Sequence, residues 1–219
     1  MMLGARTGAW SSKQLPYDAE VEWLESTGTQ WIDTRYVPKI GDSVRMIFRL
    51  TRQPTSRPYD QIIGAGTGIY QFCFPTGTGG NIYKTGIWCR LWQGGDGYIA
   101  SLLPSDSIGS DYITDFNITH LNGNNYRLSV GSDYIDSEAM SEIDGPAVDR
   151  NLIIFRRPNV GNSWIKCYAF QLWNANGVSV LDLIPVRVGS IGYMYDRVSG
   201  QLFGNSGTGA FVIGPDKTT

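Results

Sequence analysis

From Val44 the chain alternates: Val44, Met46, Phe48 and Leu50 are separated by Arg45, Ile47 and Arg49. Side chains on a strand point alternately to its two faces, so this run predicts a β-strand with one face in a core. Tyr70, Phe72 and Phe74 repeat the period, as do Tyr126, Leu128 and Val130. Each run is short and ends in Gly, Asn, Pro or Ser, which favour turns. Further on, "WIKCYAFQLWN" and "VSVLDLIPVRV" flank "ANG". Asn176 followed by Gly177 predicts a hairpin, because both residues tolerate positive φ. Tyr193, Met194 and Tyr195 read as a strand entering a turn bracketed by Asp196 and Gly200. Gln201, Leu202 and Phe203 leave it, and "FVIG" is a final strand beside the first. No stretch longer than about ten residues keeps a helical period without Gly or Pro. Many short strands without helical crossovers predict an all-β fold, an antiparallel jelly-roll β-sandwich.

The length of 219 residues suits one large domain, and 27 glycines with 12% aromatics fit a β-rich chain. Residues 1–18 show no period and are expected to form an arm, leaving 19–219 as a single domain. The formal net charge is -2, with Lys and Arg scattered. Nucleic acid and anionic membranes are therefore not expected partners, and sugars or proteins fit better. Met1 to Trp10 carry only Arg6 as a charge and no apolar run, so neither a signal peptide nor a membrane span is expected there. Cys73, Cys89 and Cys167 lack C-x-x-C spacing, which argues against a zinc knuckle or a disulfide scaffold. A Cys73–Cys89 pair stays open.

Catalytic chemistry finds little material. His120 is the single histidine, no serine has a G-x-S-x-G context, and a loop-edge histidine is the expected role. "GAGTG", "GTGG" and "GNSGTG" never become a phosphate-binding glycine motif. Glu20, Glu22 and Glu25 in "EVEWLE" approximate the E-x-D-x-x-E strand of laminarinase-type glycosidases. Retaining hydrolysis needs two carboxyls about 5 Å apart across a cleft. The run lies at the start of the domain, and its expected role is the wet face of a first strand. Asp96, Asp106, Asp111 and Asp115 supply oxygens without a calcium-loop spacing. No cofactor is expected, with calcium a weak alternative. The Asn117-Ile118-Thr119 sequon means little without a secretory signal.

The strongest binding signal is "GIWCRLWQGGDGY", residues 86–98. A strand over 87–92 turns Ile87, Cys89 and Leu91 inward and gathers Trp88, Arg90 and Trp92 on the other face. Two indoles flanking a guanidinium suit the flat C–H face of a sugar, with Arg90, Asp96 and Tyr98 reaching its hydroxyls. The competing reading is a self-contained cation–π stack, or a second sheet covering the rings.

"VEWLESTGTQWIDTRYVP", residues 21–38, resembles the opening of concanavalin A-like, laminin G-like domain proteins frequent in phages and prophages of gut bacteria. There the run reads like Y-I-E-S-T-G-T-Q-Y-I-D-T-G. "IGYMYDRVSGQLFGNSGTGAFVIGPD" is similar to the matching C-terminal signature. The departures are Arg35, where glycine is frequent, and Trp23 and Trp31, where tyrosine is common. The resemblance implies a non-enzymatic virion protein, made in the bacterial cytoplasm, with a lectin-like jelly roll for host or mucosal glycans. An arm carrying Arg6 and Trp10 would join it to other virion proteins, with homo-oligomerisation left open. The alternative is a purely structural capsid or tail decoration, and behind it a glycosidase. Both signature segments read as structural, with Ser26 to Thr29 a turn over Gly28 and Trp31 returning toward the core.

Overall fold

The computed structural model describes residues 14–39, 41–51, 59–65, 71–75, 88–90, 98–100, 113–122, 125–136, 150–157 and 160–218. Among these residues every regular element is a strand, and every pairing is antiparallel. The first half supplies β1 (Ala19–Glu20), β2 (Leu24–Thr27), β3 (Ile32–Asp33), β4 (Ser43–Leu50), β5 (Tyr59–Gly64), β6 (Gln71–Pro75), β7 (Trp88–Arg90) and β8 (Tyr98–Ala100). Next come β9 (Thr114–Asn122), β10 (Asn125–Val130), β11 (Asp133–Asp136), β12 (Ile153–Ile154), β13 (Arg156–Arg157) and β14 (Val160–Asn162). The last are β15 (Trp164–Trp173), β16 (Ser179–Val188), β17 (Ile191–Asp196), β18 (Leu202–Phe203) and β19 (Val212–Ile213).

The larger sheet runs β11-β10-β9-β4-β15-β16-β17-β18, and the smaller one β3-β12-β5-β6-β7-β8. One contiguous core joins them: Val44, Met46, Phe48, Tyr126 and Leu128 meet Ile32, Ile63 and Ile154, all essentially buried. Each fully buried side chain of this size contributes about 1.5–3 kcal/mol, which is why the alternation dictates which face of each strand turns inward. That arrangement is consistent with a β-sandwich.

The larger sheet forks. One edge of β15 pairs with β2 over Trp164–Cys167 and with β16 over Phe170–Trp173. Its other edge carries β4, with a register shift between Cys167 and Ala169 that leaves Tyr168 unopposed. The segment from Ala19 to Thr27 fills the fork, because β1 pairs with Val186 and Arg187 at the far end of β16. β19 then pairs with β2, and Val21 bridges to Asp216, so the final strand does lie beside the first.

A clasp fixes this closure. Thr208 N–H donates to the Thr29 carbonyl (3.1 Å) and Ser206 N–H to the Trp31 carbonyl (2.8 Å). Asn205 Oδ1 accepts from the N–H of Trp31 (3.1 Å) and of Gly207 (2.8 Å). Gly207 allows the contact, since a Cβ there would strike the Thr29 carbonyl and come within 2.7 Å of the Trp31 ring. Gly28, at φ 103, turns the chain beneath the Trp164 ring, but Ser26 and Thr27, expected within the turn, still pair with Ile165 and Trp164 as the end of β2. Trp31 packs partly buried against the core.

Two turns refine the sequence reading. At "ANG", only Gly177 has positive φ (73°), and Asn176 does not share it. Asn174 instead caps a longer loop, its Oδ1 accepting from the N–H of Asn176 and Val178 (2.9 and 3.1 Å). Gly177 N–H donates to Asn174 O (2.8 Å) and Asn174 N–H to Val178 O (2.9 Å), so Ala175–Gly177 form a three-residue loop. At the other turn, buried Asp196 accepts from the N–H of Asp182, Val198 and Ser199, and Gly200 takes φ 75. The start of the packed unit also shifts. The Tyr17 ring meets Tyr195 edge-on at 4.9 Å, and Asp18 N–H donates to Arg187 O (2.9 Å), so the end of the expected arm lies against the sheet. Arg6 and Trp10 lie outside the described residues.

Among the described residues only Arg35 (φ 57) and Phe155 (φ 72) are non-glycines with positive φ. The left-handed region at position 35 favours glycine over arginine. Arg35→Gly should therefore raise stability by about 0.5–1 kcal/mol, read as an increase in melting temperature; a decrease would show that the arginine is needed there. Gly207→Ala should cost about 1–3 kcal/mol by forcing the clasp apart, measured by denaturant unfolding.

Candidate functional site

The smaller sheet carries three of the expected sugar-binding residues, Trp88, Arg90 and Tyr98, on its last two strands. β7 pairs with β6, placing Trp88 opposite Cys73 and Arg90 opposite Gln71. β8 pairs with the other edge of β7, and the register sets Tyr98 directly opposite Arg90 and Ala100 opposite Trp88. Among the described residues β8 is the outermost strand of this sheet. Trp88 and Arg90 thus sit two residues apart on one strand, with Tyr98 across from Arg90. Trp92 and Asp96 lie outside the described residues, as do Asp106 and Asp111. The same register places Cys89 opposite Phe72, one step from Cys73, so the two cysteines do not occupy opposed positions.

The glutamates lie along the strand that fills the fork. Glu20 accepts from Lys217 Nζ (3.5 Å) and from Tyr17 Oη (3.4 Å). Glu25 faces Lys166 Nζ at 3.8 Å, and that ammonium sits 3.6 Å from the centroid of the Trp23 ring. Glu22 is exposed, and its N–H donates to Pro215 O. These are the contacts of a wet strand face, two of the acids each matched by a lysine.

His120 lies near the end of β9, where its N–H donates to Ser43 Oγ (2.9 Å) and its ring tilts against Tyr126 at 5.2 Å. Tyr126 Oη accepts from Gly41 N–H (2.8 Å), which ties the β3–β4 loop to this corner. Beside it, Tyr36 Oη donates to Asp42 Oδ2 (2.8 Å); burial and the neighbouring carboxylate raise the Tyr36 pKa. Burial pushes the Cys167 thiol up to about 12, which leaves it protonated and unreactive at neutral pH. Among the described residues no group of three His, Cys, Asp or Glu is placed to hold a metal.

The outer face of the larger sheet spends its charges on itself. Arg45 donates to both oxygens of Asp115 (2.9 and 2.6 Å) and reaches Gln171 Oε1 (3.4 Å). Gln171 donates to Asp182 (3.1 Å), which accepts a bidentate contact from Arg197. Asn117, the sequon asparagine, donates to Asp115 (3.2 Å) and so belongs to the same transverse ladder.

Two cationic groups that pattern reading passes over stand outside such pairs. Arg35 places its guanidinium 6.0 Å from the Phe203 centroid, and Arg156 places its own 5.8 Å from that of Trp31. Residue type carries no signal for either, because both positions depend on a positive φ at a non-glycine residue. A scan against protein-family models matches none, and a search of curated proteins finds no similar chain.

The ladder has a pH signature. Hydrogen bonds from Arg45 hold the Asp115 carboxyl below the usual carboxylate range, against the opposing effect of burial. A depressed folded-state pKa stabilises the fold above the unfolded value of about 4 and is lost as pH falls through the folded one. Both side chains are over a third exposed, so solvent screening limits the effect. Arg45→Met should raise the Asp115 pKa in an NMR titration. It should cost about 0.5–1 kcal/mol at pH 7, a difference that shrinks below about pH 4.

Proposed function

We propose that this chain is a non-enzymatic surface protein of a phage virion, whose lectin-like jelly-roll domain attaches the particle to host or mucosal glycans. The observation that carries the reading is the β7–β8 register, which sets Arg90 against Tyr98 with Trp88 two residues along the same strand. An aromatic platform beside hydrogen-bonding groups is what a neutral sugar ring requires, since its C–H face packs on an indole while its hydroxyls need donors and acceptors. The resemblance of residues 21–38 and of the C-terminal signature supports the virion setting. The lysine contacts of Glu20 and Glu25 weigh against the glycosidase alternative, which needs a carboxyl pair facing a cleft. A purely architectural role draws on Val188 and Ile191, opposed in the β16–β17 register and 37% and 55% exposed. Such an apolar hairpin tip suits contact with another subunit.

A glycan array separates the two readings. The wild type should bind a subset of host-derived glycans. Trp88→Ala and Arg90→Ala should each weaken that binding about tenfold or more while leaving the melting temperature within a few degrees. Silence of the wild type across the array, with incorporation into particles intact, would favour the architectural role.

A further inference from the structure

Among the described residues the ion-paired arginines each face an acid: Arg45 meets Asp115, Arg127 meets Asp136, Arg187 meets Asp216 and Arg197 meets Asp182. The guanidiniums of Arg35 and Arg156 do not, and each rests over an aromatic ring instead. Arg156 Nε is buried with no hydrogen-bond partner. The planar guanidinium is the side chain best shaped to fork onto a carboxylate.

Both arginines are tied to the two backbone outliers. Arg35 itself has φ 57, and Arg156 follows Phe155 at φ 72. The Phe155 conformation is held from several sides. Its N–H donates to Ile62 O (2.7 Å), its carbonyl accepts from Ser163 Oγ (2.8 Å), and its ring meets Phe211 at 4.9 Å. Strained non-glycine positions persist only where the surroundings over-determine them, and they concentrate at binding sites.

The pairing of β3 with β12 sets Ile32 opposite Ile154 and Asp33 opposite Ile153. Arg35 therefore lies two residues beyond one end of this short ladder, and Arg156 two residues beyond the other. Two separated forks suit an extended ligand bearing repeated anionic groups better than one small ion. A peptide would seek backbone hydrogen bonds along a strand edge, but at Thr29–Trp31 that edge is taken by Asn205–Thr208. With a net charge of -2, recognition of an anion must come from such local groups.

We propose that Arg35 and Arg156 form a bipartite site for the carboxylates of an acidic glycan, with Trp31 and Phe203 as platforms that orient the two guanidiniums. The site deepens the glycan-attachment reading and rests on it for the class of ligand, but it uses residues away from β7 and β8.

The test measures binding of the full chain to polygalacturonate and to polysialic acid, each beside its carboxyl-reduced form, with poly-glutamate as a peptide control. The wild type should bind at least one acidic polymer, more weakly as salt rises, and not its reduced form. Arg156→Gln should weaken that binding at least about tenfold. Arg35→Gly should weaken it as well while the melting temperature rises, which separates lost recognition from lost folding. Lys217→Gln, which removes an equal charge elsewhere, should leave it unchanged. Failure to bind either acidic polymer, equal binding of the reduced forms, or indifference to both arginine substitutions would overturn the proposal. Binding of poly-glutamate alone would replace the glycan with an acidic protein partner. If the acidic polymers bind and neutral glycans do not, the Trp88 platform fails and this site stands; the reverse result sinks this site alone.

Discussion

The antiparallel meeting of the two ends of the chain is the constraint on which the fold rests. Ala19–Thr27 lies between the fork of the larger sheet and the segment around β19, and Asn205–Thr208 locks onto Thr29–Trp31. Val21 and Leu24 on one side, and Phe203 and Phe211 on the other, enter the same core. Without that strand, β15 and β16 would expose unpaired backbone groups along the fork, and burying such groups without partners is costly. The contacts span most of the chain, so they carry a large loop-closure entropy and belong to the slow, non-local part of folding. Glycines make the closure physically allowed. At Gly207 and Gly28 the missing Cβ lets a backbone approach an indole.

The closure also separates two uses of charge. On the outer face of the larger sheet, Arg45, Gln171, Asp182 and Arg197 satisfy one another across neighbouring strands. Partly exposed groups paired in this way contribute modestly to stability and offer little to a ligand. Elsewhere the pattern differs. At β7 and β8 the register sets Tyr98 opposite Arg90 with Trp88 two residues along, and beyond β3 and on β13 the guanidiniums of Arg35 and Arg156 rest on aromatic rings and, among the described residues, form no ion pair. The β7–β8 residues belong to the smaller sheet, whereas the second proposed site joins Arg35 beyond β3, Arg156 on β13 and Phe203 on β18 of the larger sheet.

Much of this is legible in the sequence. The alternation at Val44–Leu50 and at Tyr126–Val130 named the inward faces correctly, because a period of two leaves only one face to bury. Asp196 and Gly200 were readable as a turn because an aspartate accepting backbone N–H groups and a left-handed glycine are local properties. The hairpin at Asn176–Gly177 was readable in place, whereas the Asn174 side chain that caps its loop was not. Of the candidate site, the spacing of Trp88 and Arg90 was visible, whereas Tyr98 could be named only by residue type. Its position opposite Arg90 is a matter of register between strands. Arg35 and Arg156 were invisible as a pair, because nothing in residue type marks a strained φ or an arginine without an acid.

By itself the sequence determined the all-β class, the inward faces of Val44–Leu50 and Tyr126–Val130 and the positions of the turns at Gly177 and at Asp196–Gly200. Each follows from periodicity or from the conformational range of a single residue, which neighbours a few positions away suffice to express. Tertiary structure alone decided that β15 serves two partners on one edge, that Tyr17 and Asp18 belong to the packed unit, and that "GNSGTG" clasps Trp31. It also decided which charges find partners. These outcomes depend on contacts between residues far apart along the chain, whose free energies local patterns do not carry.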